Sequence, residues 1–206
     1  MPHTSSRFTL LALVCGWSLV GPANSAEELV LQIGDPVPEF QCRDDQGEPW
    51  TSRDHVGKQL LVVFFYPSDF SFCCTRQAVR YRDRLRDLRD QGVEVIGISG
   101  DAVEAHRQFQ ATHRLNFSLL SDGDGEVARK FGVPLRVGGK AMIADEDGQA
   151  IVDAEGRSVK VSRNVTAARW TFVINQEGRV IYRETEVSPV KDSQVVLEFV
   201  RQLRAK

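Results

Sequence analysis

The apolar run Leu60-Leu61-Val62-Val63-Phe64-Phe65-Tyr66 carries no polar alternation, which is the pattern of a strand buried on both faces of an α/β sheet. Beyond Thr75 the period lengthens. Ala78, Tyr81, Leu85 and Leu88 fall on one helical face, arginines and aspartates fill the others, and Gly92 closes the segment, so a helix with one wet side is predicted there. A second unit repeats the order, with Val93 to Ile98 as strand, Asp101 and Glu104 as a capping pair, and a helix burying Ala105, Phe109 and His113. Phe117 to Leu120 read as another short strand, Asp122 to Gly125 as a turn, and Glu126 to Phe131 as a short helix ended by Gly132 and Pro134.

Upstream of the central run, Leu29 to Ile33 lead into Gly34-Asp35-Pro36-Val37-Pro38, whose prolines argue against a helix. Phe40 to Arg43 and Glu48 to Thr51 flank Asp44-Asp45-Gln46-Gly47 and predict two short strands joined by a turn. Between Leu135 and Val165 the chain changes character: Gly138-Gly139, Asp145-Glu146-Asp147-Gly148 and Asp153-Ala154-Glu155-Gly156 separate short alternating stretches, and two small hairpins are expected. The acidic turns lack the ligand spacing and distal glutamate of a calcium loop. Trp170 to Ile174, the turn Asn175 to Gly178, Arg179 to Glu184 and a helix near Lys191 to Leu203 complete the order. Strand and helix twice, then a hairpin and a last helix, is the order of a thioredoxin-like α/β fold with a mixed central sheet flanked by helices.

Composition adds less. The 206 residues, 42% of them hydrophobic, suffice for one well-packed domain, and a net charge of −2 with acids and bases interleaved gives no reason to expect nucleic acid as a partner. The amino terminus stands apart. Arg7 precedes the largely apolar Phe8 to Val20, and small residues follow at Ala23, Ser25 and Ala26. This is the layout of a signal peptide over residues 1–26, ahead of one domain at 27–206 with a hairpin-like insertion at about 135–165. Export, to the periplasm, is the expectation. Cys15 follows the bulky Val14 rather than a small residue, which argues against lipid attachment. Removing the presequence leaves Cys42, Cys73 and Cys74, an odd number that suits redox chemistry better than a disulfide framework or a zinc site.

The chemistry concentrates where the central strand gives way to the long helix, at Tyr66-Pro67-Ser68-Asp69-Phe70-Ser71-Phe72-Cys73-Cys74-Thr75-Arg76-Gln77. Unsatisfied N–H groups and the positive end of the helix dipole favour thiolate over thiol in the first turn of a helix. Tyr66-Pro67, Ser71, Cys74-Thr75 and Gln77 resemble the peroxiredoxin signature, and the likeness extends to Tyr81, Ile98-Ser99-Gly100-Asp101, Leu120-Ser121-Asp122, Phe131-Gly132-Val133 and Arg169 to Ile174. Within that family the sequence resembles the bacterioferritin-comigratory-protein-like subgroup. The resemblance implies reduction of hydrogen peroxide or organic hydroperoxides without metal, haem or flavin, with Cys74 as peroxidatic thiol. It implies Arg169 and Ser71 as donors to the peroxide, and Pro67, Thr75 and Gln77 as pocket support. An external thiol or thioredoxin-like reductant is the implied partner, and a homodimer stays open.

The sequence also departs from that pattern. Phe72 and Cys73 replace the proline and small residue usual before the cysteine, and Val79 stands where a resolving cysteine five positions downstream would be. Cys73 and Cys42 are the internal candidates for resolving a sulfenic acid. A disulfide between adjacent cysteines closes a strained eight-membered ring, and Cys42 could equally be a small buried hydrophobe. His55, His106 and His113 show neither metal spacing nor a partner beside Cys74, which disfavours a cysteine–histidine hydrolase. A thiol–disulfide oxidoreductase would want two cysteines separated by two residues, and a non-enzymatic redox sensor would keep the fold without peroxide turnover.

Overall fold

The computed structural model describes Met1 and residues 30–205 apart from 144, 146, 148, 153 and 154. The expected signal peptide lies outside the described residues, and no helix among them is long and apolar enough to cross a membrane. The strands and helices run β1 (Gln41–Asp44), β2 (Pro49–Thr51), β3 (Leu60–Phe65), α1 (Phe72–Asp90), β4 (Val93–Ser99), α2 (Val103–His113), β5 (Ser118–Ser121) and α3 (Glu126–Phe131). There follow β6 (Leu135–Val137), β7 (Lys140–Met142), β8 (Lys160–Ser162), β9 (Val165–Ala167), β10 (Trp170–Ile174), β11 (Val180–Glu184) and α4 (Asp192–Arg204).

Seven strands form one mixed sheet in the order β11-β10-β3-β4-β5-β1-β2. β3, β4 and β5 are parallel, whereas β10 runs antiparallel to β3. All six residues of β3 are buried, as its unbroken apolar sequence requires. Its side chains alternate between two cores. Leu60, Val62 and Phe64 pack with Ala78, Tyr81 and Leu85 of α1, Phe109 of α2, and Val196 and Val200 of α4. Leu61, Val63 and Phe65 face the other way, against Leu31, Phe40, Trp50 and Phe131. Each such side chain contributes about 1.5–3 kcal/mol by leaving water, so β3 is the anchor of both layers. Two successive crossovers in the same direction put α1 and α2 on one face.

The segment expected to form two small hairpins is an arm in which both acidic turns close locally, Ile151 N–H donating to the Ile143 carbonyl across the first and Val152 bridging Ser158 across the second; the pairing of its two limbs was not expected. β6 pairs with β9 and β7 with β8, so the outgoing chain meets the returning chain along its length. Gly138 makes no turn: its N–H donates to the Asn164 carbonyl. The acidic turns lie at the tip, where Asp145 N–H donates to Gln149 O. The physical reason is burial. Ile143, Ile151, Val159 and Val161 reach the α1 side of the core only when the two limbs pair, and local turn signals carry no information about that pairing. At the base, a Cβ on Gly100 would lie 2.3 Å from the Val165 carbonyl oxygen, so glycine there lets the arm close on the end of β4.

Candidate active site

β3 ends at Phe65, Tyr66 N–H still bonds the Ile98 carbonyl, and a short loop then carries the chain into α1. Phe70 holds φ at 55°, a left-handed conformation that costs a bulky residue roughly 1–2 kcal/mol. Packing holds it there. The ring is buried edge-on against Phe109 at 5.0 Å and beside His113 at 5.8 Å. Ser71 takes the extended N-cap conformation, and its carbonyl accepts from Thr75 N–H. Cys74 is the third residue of α1, where backbone N–H groups have no helical partner, and it is buried whereas Cys73 is exposed.

Sheet register supplies the cation. Trp170 pairs with Phe65 and Thr171 with Phe64, so Arg169 falls one step beyond the end of β3, over the loop that leads to Cys74. Its Nη2 donates to Cys74 Sγ at 3.1 Å, and its Nη1 donates to Gln77 Oε1. The amide of Gln77 donates in turn to Asp192 Oδ2 at 2.7 Å. Tyr81 and Thr171 hydroxyls donate to that same oxygen, each at 2.9 Å. Burial pushes the Asp192 carboxyl up, against these hydrogen bonds and the nearby Arg169.

Of the residues singled out from sequence, Cys74, Arg169 and Gln77 therefore meet in one cluster. Ser71 points elsewhere, its hydroxyl donating to the Ser68 carbonyl at 3.3 Å. Pro67 is half-buried in the loop, and Thr75 is buried with a hydroxyl that finds no hydrogen-bond partner among the described residues. Cys42 lies in β1 and packs into the core on the other side of the sheet. Burial, followed by Asp122, Asp124 and Glu126, pushes its thiol up to about 12. Val79 is half-buried on α1. Among the described residues Cys42, Cys73 and Cys74 are all free thiols.

A buried polar floor under the loop was not legible in the sequence. Asp69 N–H donates to Asp101 Oδ2 at 2.8 Å, Ser99 Oγ donates to it at 2.8 Å, and Asp69 carries His106 Nδ1 at 2.8 Å and Tyr66 OH at 2.8 Å. Arg163, from the returning limb of the arm, donates to Ser68 Oγ at 2.6 Å and lies 3.6 Å from Asp101 Oδ1. Asp101 thus does not cap α2, as expected from its spacing to Glu104; Ala102 takes the N-cap and makes no side-chain bond. The demand of Asp69 and Ser99 for an acceptor overrides the local rule. Burial, then the charge of Asp69, raises the Asp101 carboxyl to about 6. Burial opposes a proton on His106, yet Asp69 and Asp101 outweigh it and hold the imidazole above its ordinary value. The places of His106 and Arg163 in this floor carried no signal along the chain, because Asp69 lies 37 residues from His106 and Ser68 lies 95 residues from Arg163.

The sequence of the AhpC/TSA family matches residues 33–183, which covers the sheet, the loop and Arg169. The chain belongs to the AhpC/TSA family. It is 35% identical over 145 residues to the putative peroxiredoxin bcp of Coxiella burnetii, a match that covers 66% of this chain and 94% of that protein. Peroxiredoxin Q of Sedum lineare chloroplasts is 41% identical over 101 residues, 49% of this chain and 54% of that protein. The chain thus spans about half the length of such chloroplastic relatives. Among solved structures, the peroxidoxin BcpB of Mycobacterium tuberculosis superposes with a TM-score of 0.68 at 27% identity, over 84% of this chain and 99% of that one. The bacterioferritin comigratory protein of Xanthomonas campestris gives 0.65 at 25%, over 86% and 99%. These relatives put this AhpC/TSA chain in the bacterioferritin-comigratory-protein and peroxiredoxin Q subgroup.

Proposed function

We propose that this chain is a thiol-dependent peroxidase in which Cys74 attacks hydrogen peroxide or an organic hydroperoxide. The observation that carries the reading is the contact of Arg169 Nη2 with Cys74 Sγ at 3.1 Å, at a helix start. A charged donor there stabilises the thiolate, and the same guanidinium can follow the charge onto the departing oxygen. The sulfur takes one oxygen from the peroxide and becomes a sulfenic acid, while water or an alcohol leaves. Alkyl peroxide reduction is the activity named for the Xanthomonas relative, in keeping with this substrate class. Ser71 would have to rotate its hydroxyl away from the Ser68 carbonyl to serve the peroxide.

Turnover follows a one-cysteine cycle, in which an external thiol or a thioredoxin-like reductant returns the sulfenic acid to thiol. The separation of Cys42 from Cys74 by the sheet supports this, as does the high proton affinity of the Cys42 thiol. Export, on the strength of Arg7 and the apolar run Phe8 to Val20, places that work in the periplasm. The test is peroxide consumption followed by stopped flow with single serine variants. Cys74→Ser should abolish the fast phase, while Cys42→Ser and Cys73→Ser leave its initial rate within about twofold of the parent, since neither thiol touches the Arg169 cluster. A fast phase surviving in Cys74→Ser would remove the assignment.

A further inference from the structure

Asp192 is the first residue of α4, 4% exposed, and far from the site in sequence. Its Oδ2 receives three donors, from Gln77 Nε2, Tyr81 OH and Thr171 Oγ1. A carboxylate in that position can only accept. The side-chain amide of Gln77 has a donating and an accepting end of nearly the same shape, so the chain itself does not decide which end faces Arg169. Asp192 decides it. With the NH₂ drawn to Asp192, the carbonyl oxygen faces Arg169 Nη1, and the other arm of the guanidinium, Nη2, is left to reach Cys74 Sγ. With the amide reversed, two sets of N–H donors would face each other and Arg169 would lose its anchor.

We infer that Asp192 is a positioning residue for the chemistry of Cys74, acting through the amide of Gln77 to hold Arg169 on the sulfur. The inference rests on the reading of Cys74 as the reactive thiol. It also accounts for an amide at position 77: a carboxylate there would face Asp192 with no proton to share, two like charges in a buried site. Residues 77 and 192 therefore form a matched pair, one amide and one acid, and the exchange Gln77→Glu with Asp192→Asn keeps a donor, an acceptor and the total charge between them, the Tyr81 and Thr171 hydroxyls turning from donating to accepting at the new amide.

The exchange provides the test. In the full chain, iodoacetamide alkylation is localised to Cys74 by fragment mass spectrometry across pH 6 to 9, alongside peroxide consumption. Asp192→Ala, which removes the acceptor that turns the amide, and Gln77→Glu, which sets a second carboxylate against Asp192, should each slow Cys74 alkylation near pH 6.5 about fivefold or more. The deficit should shrink toward pH 9, where even an unassisted cysteine ionises. A merely structural loss would persist at every pH. The double variant should recover to within about twofold of the parent. A double variant no faster than Gln77→Glu alone, or an Asp192→Ala rate indistinguishable from the parent, overturns the inference. Wild-type NMR gives an arm that needs no variant: the Gln77 amide protons should show contacts to the Thr171 and Tyr81 side chains, and contacts to the Arg169 guanidinium instead would also overturn it. Alkylation reports on the sulfur without peroxide, so a Cys74 whose alkylation responds to these variants as expected yet consumes no peroxide sinks the peroxidase reading alone.

Discussion

Cys74 and Cys42 are the same residue type, packed into the two cores that β3 divides between the faces of one sheet. On the α1 face, the thiol stands at a helix start with a guanidinium 3.1 Å away and a relay of Gln77 and Asp192 behind it. On the other face, the thiol sits in a strand, with Asp122, Asp124 and Glu126 close enough to oppose its ionisation. An Arg169 donor stands on the first sulfur, whereas around the second Asp122, Asp124 and Glu126 oppose ionisation and Lys130 favours it. The difference lies in what the fold places beside each sulfur, and it supports the proposal that Cys74 carries the chemistry.

The sharpest way to break this comparison is to remove the fold from Cys42. A thiol pushed from 9.0 up to about 12 has about a thousandfold less thiolate at neutral pH than an ordinary one. Alkylation of Cys42 should therefore be at least about a thousandfold slower in the folded protein than in urea. Comparable rates in the two states would remove the contrast between the faces.

The loop floor offers the next largest effect. Asp101 is held up to about 6 from 3.8, so the folded state keeps its proton where the unfolded chain has lost it. The sign follows: this stabilisation is complete below about pH 4 and disappears as pH rises through about 6. The stability of the parent relative to Asp101→Asn, from urea unfolding at pH 4 and pH 7, should fall by roughly 2–3 kcal/mol over that interval. A pH-independent difference would show that Asp101 does not carry the proton. A smaller effect belongs to Arg169→Ala, which should slow peroxide consumption about tenfold or more through loss of one charged donor. A rate within twofold of the parent would detach Arg169 from the site.

These contacts differ in how far they could be read from the chain alone. β3 and α1 were legible because an unbroken apolar run and a 3.6-residue period are local signals, and the cysteine at their junction was legible for the same reason. Arg169 came only from the family pattern, since its place over Cys74 depends on the β10 to β3 register. Asp192 had no such pattern to reveal it: an acid at the start of a helix ordinarily reads as a solvated partner of the dipole, and its three donors lie 21 to 115 residues away. His106 was set aside because a helix position says nothing of the Asp69 beneath it. In the arm, the two tip turns were legible because turns announce themselves locally, whereas the pairing of β6 with β9 and of β7 with β8 was not.

The central claim, that oxidation stops at Cys74 with no internal resolver, is tested most directly by the intact mass of the protein after one equivalent of hydrogen peroxide and no reductant. The account predicts a gain of one oxygen, trapped by dimedone on Cys74, with a second oxygen added when peroxide is in excess. A loss of two hydrogens that disappears in Cys42→Ser would contradict it, because the two faces of the sheet would then have to exchange sulfurs during turnover.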